Sequence, residues 1–184
     1  MSAEGAAAPL VTEDAAVFAA ALPPVAALIG LDLGEKTIGL AVSDPSRGFA
    51  SPIETLPKRK FSADAAALGA AAVERGAAGI VLGLPRNMDG SEGPRAQSTR
   101  AFARNLARAI GLPVLLWDER LSTAAVERAM IAADLSRKRR AERVDRAAAA
   151  YILDGALTRL ARLGAPDSGG RGGEEASRTG RDDG

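Results

Sequence analysis

Val25 to Leu33 is an almost wholly apolar run with one carboxylate, Asp32, near its end. A run of that length bounded by turn residues reads as a central strand buried on both faces. Gly34-Glu35-Lys36 is a tight turn, and Thr37 to Ser43 is a second strand, so the two form a hairpin. Phe49 to Leu56 is a third strand. Ser62 to Arg75 is a helix, with Ser62 as its N-cap and Gly76 as its stop. Gly79 to Leu84 is a fourth strand. A polar loop leads to a helix over Pro94–Ile110, with Pro94 in its first turn and Gly111 as its stop. Val114 to Trp117 is a fifth strand, residues 122–133 are helical, and a last helix covers Arg140 to Leu163. An early hairpin followed by β–α alternation predicts an α/β domain with a mixed sheet and helices on both faces.

The chain's 184 residues suit one domain of ordinary size. Residues 1–24 are Ala-rich, lack Lys and Arg, and end in Pro23-Pro24. They read as a disordered or weakly helical extension. Residues 165–184 lack large apolar side chains and read as a disordered Gly-rich tail. The domain proper is residues 25–164. The whole chain carries 24 Lys+Arg against 23 Asp+Glu, but three acids lie in the extension, and five acids with three Arg lie in the tail. The domain itself is therefore basic, which suits an anionic partner. No apolar run approaches the roughly 20 residues of a membrane span. The N-terminus has the pattern of neither a secretory nor a mitochondrial leader. The expectation is a soluble cytoplasmic protein.

Cysteine and histidine are both absent. That excludes disulfides, thiol catalysis, Cys or His metal ligands and Ser-His-Asp hydrolysis. Chemistry must then come from carboxylates, Lys/Arg, hydroxyls or a borrowed metal ion. Three sets of acids break the hydrophobic pattern. Asp32 shares a packed strand face with Leu28 and Gly30, and burying an unpaired carboxylate costs several kcal/mol, so it needs a partner. A salt bridge or a turn cap would serve, and so would a metal ion at the carboxyl end of the strand, where α/β sheets place their sites. Asp118-Glu119 follows the fifth strand directly. Adjacent residues point to opposite faces, so at least one of the two projects over the sheet edge. Asp145 heads a helical stripe of Ala148, Ala149, Ile152, Leu153, Ala156 and Leu160. That stripe must pack on the sheet. Acids converging from two strand ends and a helix start make an oxygen-only site of the kind that binds Mg2+ or Mn2+. Paired metals in such a site support phosphodiester cleavage.

Four segments carry a resemblance: GLDLGEKTIGLAVSD (30–44), VLGLPRNMDGSEGPRAQSTRAFARNL (81–106), PVLLWDERLSTAAVE (113–127) and RVDRAAAAYILDGAL (143–157). In order and spacing they resemble the YqgF/RuvX family over about residues 26–163. Its members are known as pre-16S rRNA nucleases or Holliday-junction resolvase-like proteins. The resemblance implies an RNase H-like fold with a five-stranded mixed sheet flanked by helices. It further implies a metal-dependent nuclease acting in maturation of the small-subunit ribosomal RNA, with Asp32, Glu119 and Asp145 as the catalytic and metal-binding set. The fourth strand ends GLPRN without an acid, where many RNase H-like nucleases carry one. The chain also reads DERLST where the family usually reads DERLTT.

The expected substrate is nucleic acid. Arg86, Asn87 and Arg95 lie in or beside the polar loop, and Arg120 follows the acid pair. Lys138, Arg139, Arg140 and Arg143 belong to a dense basic segment around Asp145, suited to clamp a phosphate backbone. Phe102, Trp117 and Tyr151 read as core, which leaves no stacking platform for bases. The leading expectation is cleavage of precursor 16S rRNA, with ribosomal particles as partners and a monomer or weak homodimer as the working form. Branched DNA is the competing substrate. A non-catalytic assembly factor and a one-lobe nucleotide-binding protein are the readings of another class.

Overall fold

The computed structural model describes residues 9–121 and 137–164, and in the last helix it describes side chains from residue 147 onward. The element order is β1 (Val11–Thr12), α1 (Ala15–Ala20), β2 (Ala27–Leu33), β3 (Thr37–Ser43), β4 (Ala50–Pro57), α2 (Phe61–Glu74), β5 (Ala77–Leu84), α3 (Pro94–Ile110), β6 (Val114–Asp118), a single 3-10 turn (Glu119–Leu121) and α4 (Arg137–Gly164). The expected helix over 122–133 and the tail 165–184 lie outside the described residues.

The strands form one sheet in the order β1-β6-β5-β2-β3-β4. β2, β3 and β4 pair antiparallel, and β2, β5, β6 and β1 pair parallel. This is the expected RNase H-like mixed sheet with a sixth strand added at the β6 edge. The antiparallel half follows from the short Gly34 turn, in which the Gly34 N–H donates to the Thr37 carbonyl at 2.9 Å. The parallel half follows from the α2 and α3 crossovers, which return the chain to the same end of the sheet.

Alternation along the strands assigns the two faces. Ile29, Leu31, Ile80, Leu82, Val114 and Leu116 pack with the inner sides of α2 and α3. Leu28, Val81, Leu115 and Trp117 pack with α1 and with Ala149, Ile152, Leu153 and Ala156 of α4. Burial of both faces explains why β2 reads as a continuous apolar run rather than an alternating one.

Two expectations require correction. The segment read as an extension contributes β1 and α1 to the folded unit. Asp14 caps α1 by accepting from the Ala16 N–H at 2.8 Å, and Phe18 is fully buried. A lone large aromatic and a capping acid suffice to dock this Ala-rich stretch against a sheet face left open by α4. The N-cap of α2 is Lys60 rather than Ser62, with no side-chain cap bond. Asp64 takes the capping role differently, accepting from the Arg59 N–H at 2.9 Å while itself buried. As expected, Trp117 is core, while Phe102 is partly buried and stacks edge-on against Phe61 with centroids 5.7 Å apart. Tyr151 is half-buried.

Candidate active site

Three parallel neighbours, β2, β5 and β6, end at the same edge of the sheet. Gly30 and Asp32 lie two residues apart on β2 and so share a face. That face is the α4 face, because a Cβ on Gly30 would stand 2.7 Å from the Ala149 carbonyl oxygen. Asp32 is 9% exposed and pairs in register with Gly39 of β3. Gly83 on β5 opposes Trp117 on β6. A Cβ on Gly83 would meet Ile152 Cδ1 at 2.5 Å and Glu119 Oε1 at 2.8 Å. The Glu119 carboxylate therefore lies directly over Gly83, on the α4 face. Leu31 pairs with Leu82, so Asp32 and Gly83, each one residue further on, sit side by side. Asp32 and Glu119 thus lie on one face of the edge about Gly83, and the missing side chain leaves the room that Ile152 Cδ1 and the Glu119 carboxylate take up.

Asp118 goes the other way. It belongs to the face of Leu116 and Val114, and its carboxylate is held by Arg120, with Nε and Nη2 at 3.0 and 2.6 Å. Arg86 Nη1 adds a longer contact at 3.7 Å. The Arg120 hydrogen bond, with the charges of Arg120 and Arg86 behind it, holds the Asp118 carboxyl below its ordinary range. Of the adjacent acids, Glu119 therefore faces the side of Asp32, and Asp118 is engaged by arginines on the opposite side.

Asp145 lies on α4, four residues before Ala149 and one further turn toward the helix N-terminus. Its side chain, with those of Lys138, Arg139, Arg140 and Arg143, lies outside the described residues. Among the described residues no three acids gather closely enough to hold a metal ion. Asp32 and Glu119 nonetheless fit a hard divalent cation. They offer oxygen donors alone, on one face, and any side chain at position 83 would collide with the Glu119 carboxylate.

The remaining expected contacts divide. Arg86 and Arg120 are both engaged in ion pairs. Asn87 closes the loop on itself: its N–H donates to the Ser91 carbonyl at 3.0 Å and its Nδ2 to Ser91 Oγ at 2.9 Å. Arg95 is exposed in the first turn of α3. Sequence reasoning missed Glu13, Glu92 and Arg100, which form an ion-pair cluster with Arg86. The available signal was the spacing of Glu92 and Arg100, two turns apart across the start of α3.

The mixed sheet with helices on both faces has the RNase H-like fold, with Asp32 and Glu119 at its carboxyl edge. Residues 26–159 match the family described as "RuvX: Holliday junction resolvase", and the chain belongs to that family. It is 68% identical over 147 residues to a protein of Rhodobacter capsulatus named "Putative pre-16S rRNA nuclease", covering 80% of this chain and 92% of that one. It is 62% identical to a protein of the same name from Ruegeria pomeroyi, covering 84% of this chain and 100% of that one. Among solved structures it is similar to Thermus thermophilus RuvC in complex with a Holliday junction substrate, at 14% identity and a TM-score of 0.48, covering 76% of this chain and 96% of that one.

Proposed function

We propose that the chain is a metal-dependent nuclease that hydrolyses phosphodiester bonds in precursor 16S rRNA. The observation that carries this is the pair of carboxylates, Asp32 and Glu119, on one face of the sheet edge around Gly83. Asp145 from α4 is the third member of the set. A bound Mg2+ or Mn2+ would neutralise charge on the scissile phosphate and lower the pKa of an attacking water. The chain's own residues supply the rest. Asp32 and Glu119 would hold the cation through hard oxygen donors. Gly83, lacking a side chain, would let the Glu119 carboxylate lie over the strand end on the side of Asp32. Ile152 and the buried strand ends would exclude bulk water from one side. With neither His nor Cys in the chain, the carboxylates of the set are the groups proposed to move the proton.

The names borne by the relatives support ribosomal RNA as the substrate, which would put the protein in the cytoplasm with ribosomal particles as partners. Among the described residues no helix is long and apolar enough to cross a membrane. Exposed Arg95 and the basic run 137–146 are the proposed phosphate contacts, and a monomer or weak homodimer is the proposed working form. The deciding assay compares wild type, Asp32→Asn and Asp145→Asn on precursor small-subunit rRNA and on a four-way DNA junction, with Mn2+, Mg2+ or EDTA. The expected result is RNA cleavage that disappears in both variants and in EDTA. Cleavage of the junction alone would transfer the activity to branched DNA, and cleavage that survives in both variants would refute the site.

A further inference from the structure

Arg86 and Arg100 lie side by side although both carry positive charge. Two acids hold them there. Glu92 is the fixed partner: it takes Arg86 Nε and Nη2 at 3.2 and 3.0 Å, and Arg100 Nε and Nη2 at 2.8 and 2.5 Å. These bonds hold its carboxyl down to about 2. The second acid, Glu13, comes from the N-terminal arm. Its Oε2 accepts from Arg86 Nη2 at 2.7 Å and its Oε1 from Arg100 Nη2 at 2.5 Å. Each Nη2 carries two hydrogens, one directed at Glu92 and one at Glu13. Glu13 thus occupies an oxyanion cradle with one arginine on each oxygen.

The two acids differ in how they are anchored. Glu92 sits in the ordered loop leading into α3. Glu13 lies between β1, paired to β6 through Val11 with Val114 and Thr12 with Leu115, and α1, docked by the buried Phe18, so its backbone is held while its side chain is free to swing. Its side chain is 39% exposed. Without Glu13 the cluster of Arg86, Arg100 and Glu92 carries one net positive charge, with two N–H groups aimed at one vacant point. A phosphodiester presents one negative charge over two non-bridging oxygens, the same chemistry as the carboxylate it would replace. Arg86 also reaches Asp118, so the cradle adjoins the end of β6 from which Glu119 emerges on the other face. A strand crossing the sheet edge at the acids would pass it.

Resting on the nuclease reading, we propose that Arg86 and Arg100 form a backbone-phosphate subsite for the nucleic-acid substrate, and that Glu13 occupies it as an internal stand-in until substrate displaces its side chain. The test uses the full chain in EDTA with a labelled single-stranded RNA, following affinity by fluorescence anisotropy across salt concentrations. Glu13→Gln keeps the shape and removes the charge. It should bind at least about threefold tighter at low salt, with a salt slope steeper by about 0.7, the increment for one further phosphate contact on a single strand. Adding Arg100→Gln to Glu13→Gln should abolish the gain. Affinity in Glu13→Gln equal to or weaker than wild type, with melting unchanged, would make Glu13 a structural partner and overturn the subsite. If no form binds RNA, the nuclease reading fails separately. Inorganic phosphate then tests the cradle: it should raise the melting temperature of Glu13→Gln more than that of wild type, and an equal rise overturns it.

Discussion

Replacing Gly83 by Ala perturbs the candidate site without touching an acid. The new methyl would stand 2.5 Å from Ile152 Cδ1, 2.8 Å from Glu119 Oε1 and 3.3 Å from Glu119 Cγ. Carbon contacts prefer about 3.5–4.0 Å, so both neighbours must retreat by roughly 1 Å. Each is the far end of a flexible side chain, so the backbone can stay in place. Overpacking of this kind costs about 1–3 kcal/mol, and reduced freedom of the unfolded chain returns about 0.4–1 kcal/mol. A net loss of about 1–2 kcal/mol lowers the melting temperature by roughly 2–8 °C for a chain of this size. On the proposed role of Glu119 the activity effect is larger, because a catalytic group displaced by about 1 Å costs on the order of 10²-fold in rate. Melting measured beside steady-state cleavage of precursor rRNA separates the two. A variant that melts a few degrees lower yet keeps its rate within about threefold would show that Glu119 takes no part in the reaction.

Gly30→Ala should behave differently. Its methyl would meet the Ala149 carbonyl oxygen and Leu153 Cβ, both at 2.7 Å, and neither can rotate away. α4 must shift, so we expect a melting temperature more than about 8 °C lower together with loss of activity, read by thermal melting. Asp32→Asn should abolish cleavage while the folded state persists, because the amide keeps the shape of the carboxylate and lacks its charge; thermal melting beside the cleavage assay checks both halves. Glu92 gives a pH prediction. Its folded-state pKa of about 2 lies below the unfolded value of 4.5. Its contribution is therefore fully present above about pH 4.5 and is lost as the pH falls from there toward 2. Glu92→Gln should flatten the melting temperature over that window and leave its slope above pH 5 unchanged.

The apolar run of β2, the Gly34 turn and the βα alternation carried most of the fold in the sequence. β3 and α3 begin and end as read, and β4 and β6 are displaced by no more than one residue at either end. β1 was illegible because two residues make no periodic pattern, and it exists by pairing with β6, a contact about 100 residues distant. α1 left a fainter trace in Asp14 and Phe18, outweighed by the alanines around them. Asp32 was readable as a candidate from local pattern alone, since a carboxylate in a buried strand is conspicuous. The choice between Asp118 and Glu119 was not readable. It depends on which face Trp117 occupies, and that is set by Gly83 and α4 from elsewhere in the chain.

Charge shows the same division more sharply. Counting residues gives a basic domain, and position beside the polar loop and the acid pair makes Arg86 and Arg120 expected substrate contacts. Folding changes what those charges are worth. Arg120 is taken by Asp118, and Arg86 by Glu13 and Glu92. An arginine already bound to carboxylates gains little from a phosphate, because the exchange replaces one charge-assisted hydrogen bond by another. A net charge therefore overstates the anion affinity of a face whenever acids from distant segments pack onto it. Here one such acid belongs to a stretch that the count had set aside as an extension. Phosphate attraction in the resting protein must then fall on arginines without such partners in reach. Arg95, exposed in the first turn of α3 beside the same loop, is one such group on the described surface, and in the sequence the basic run that precedes Asp145 on α4 is another. On the proposed function, a nucleic-acid backbone would approach Asp32 and Glu119 past these groups, and would meet the Arg86–Arg100 cradle once Glu13 gives way.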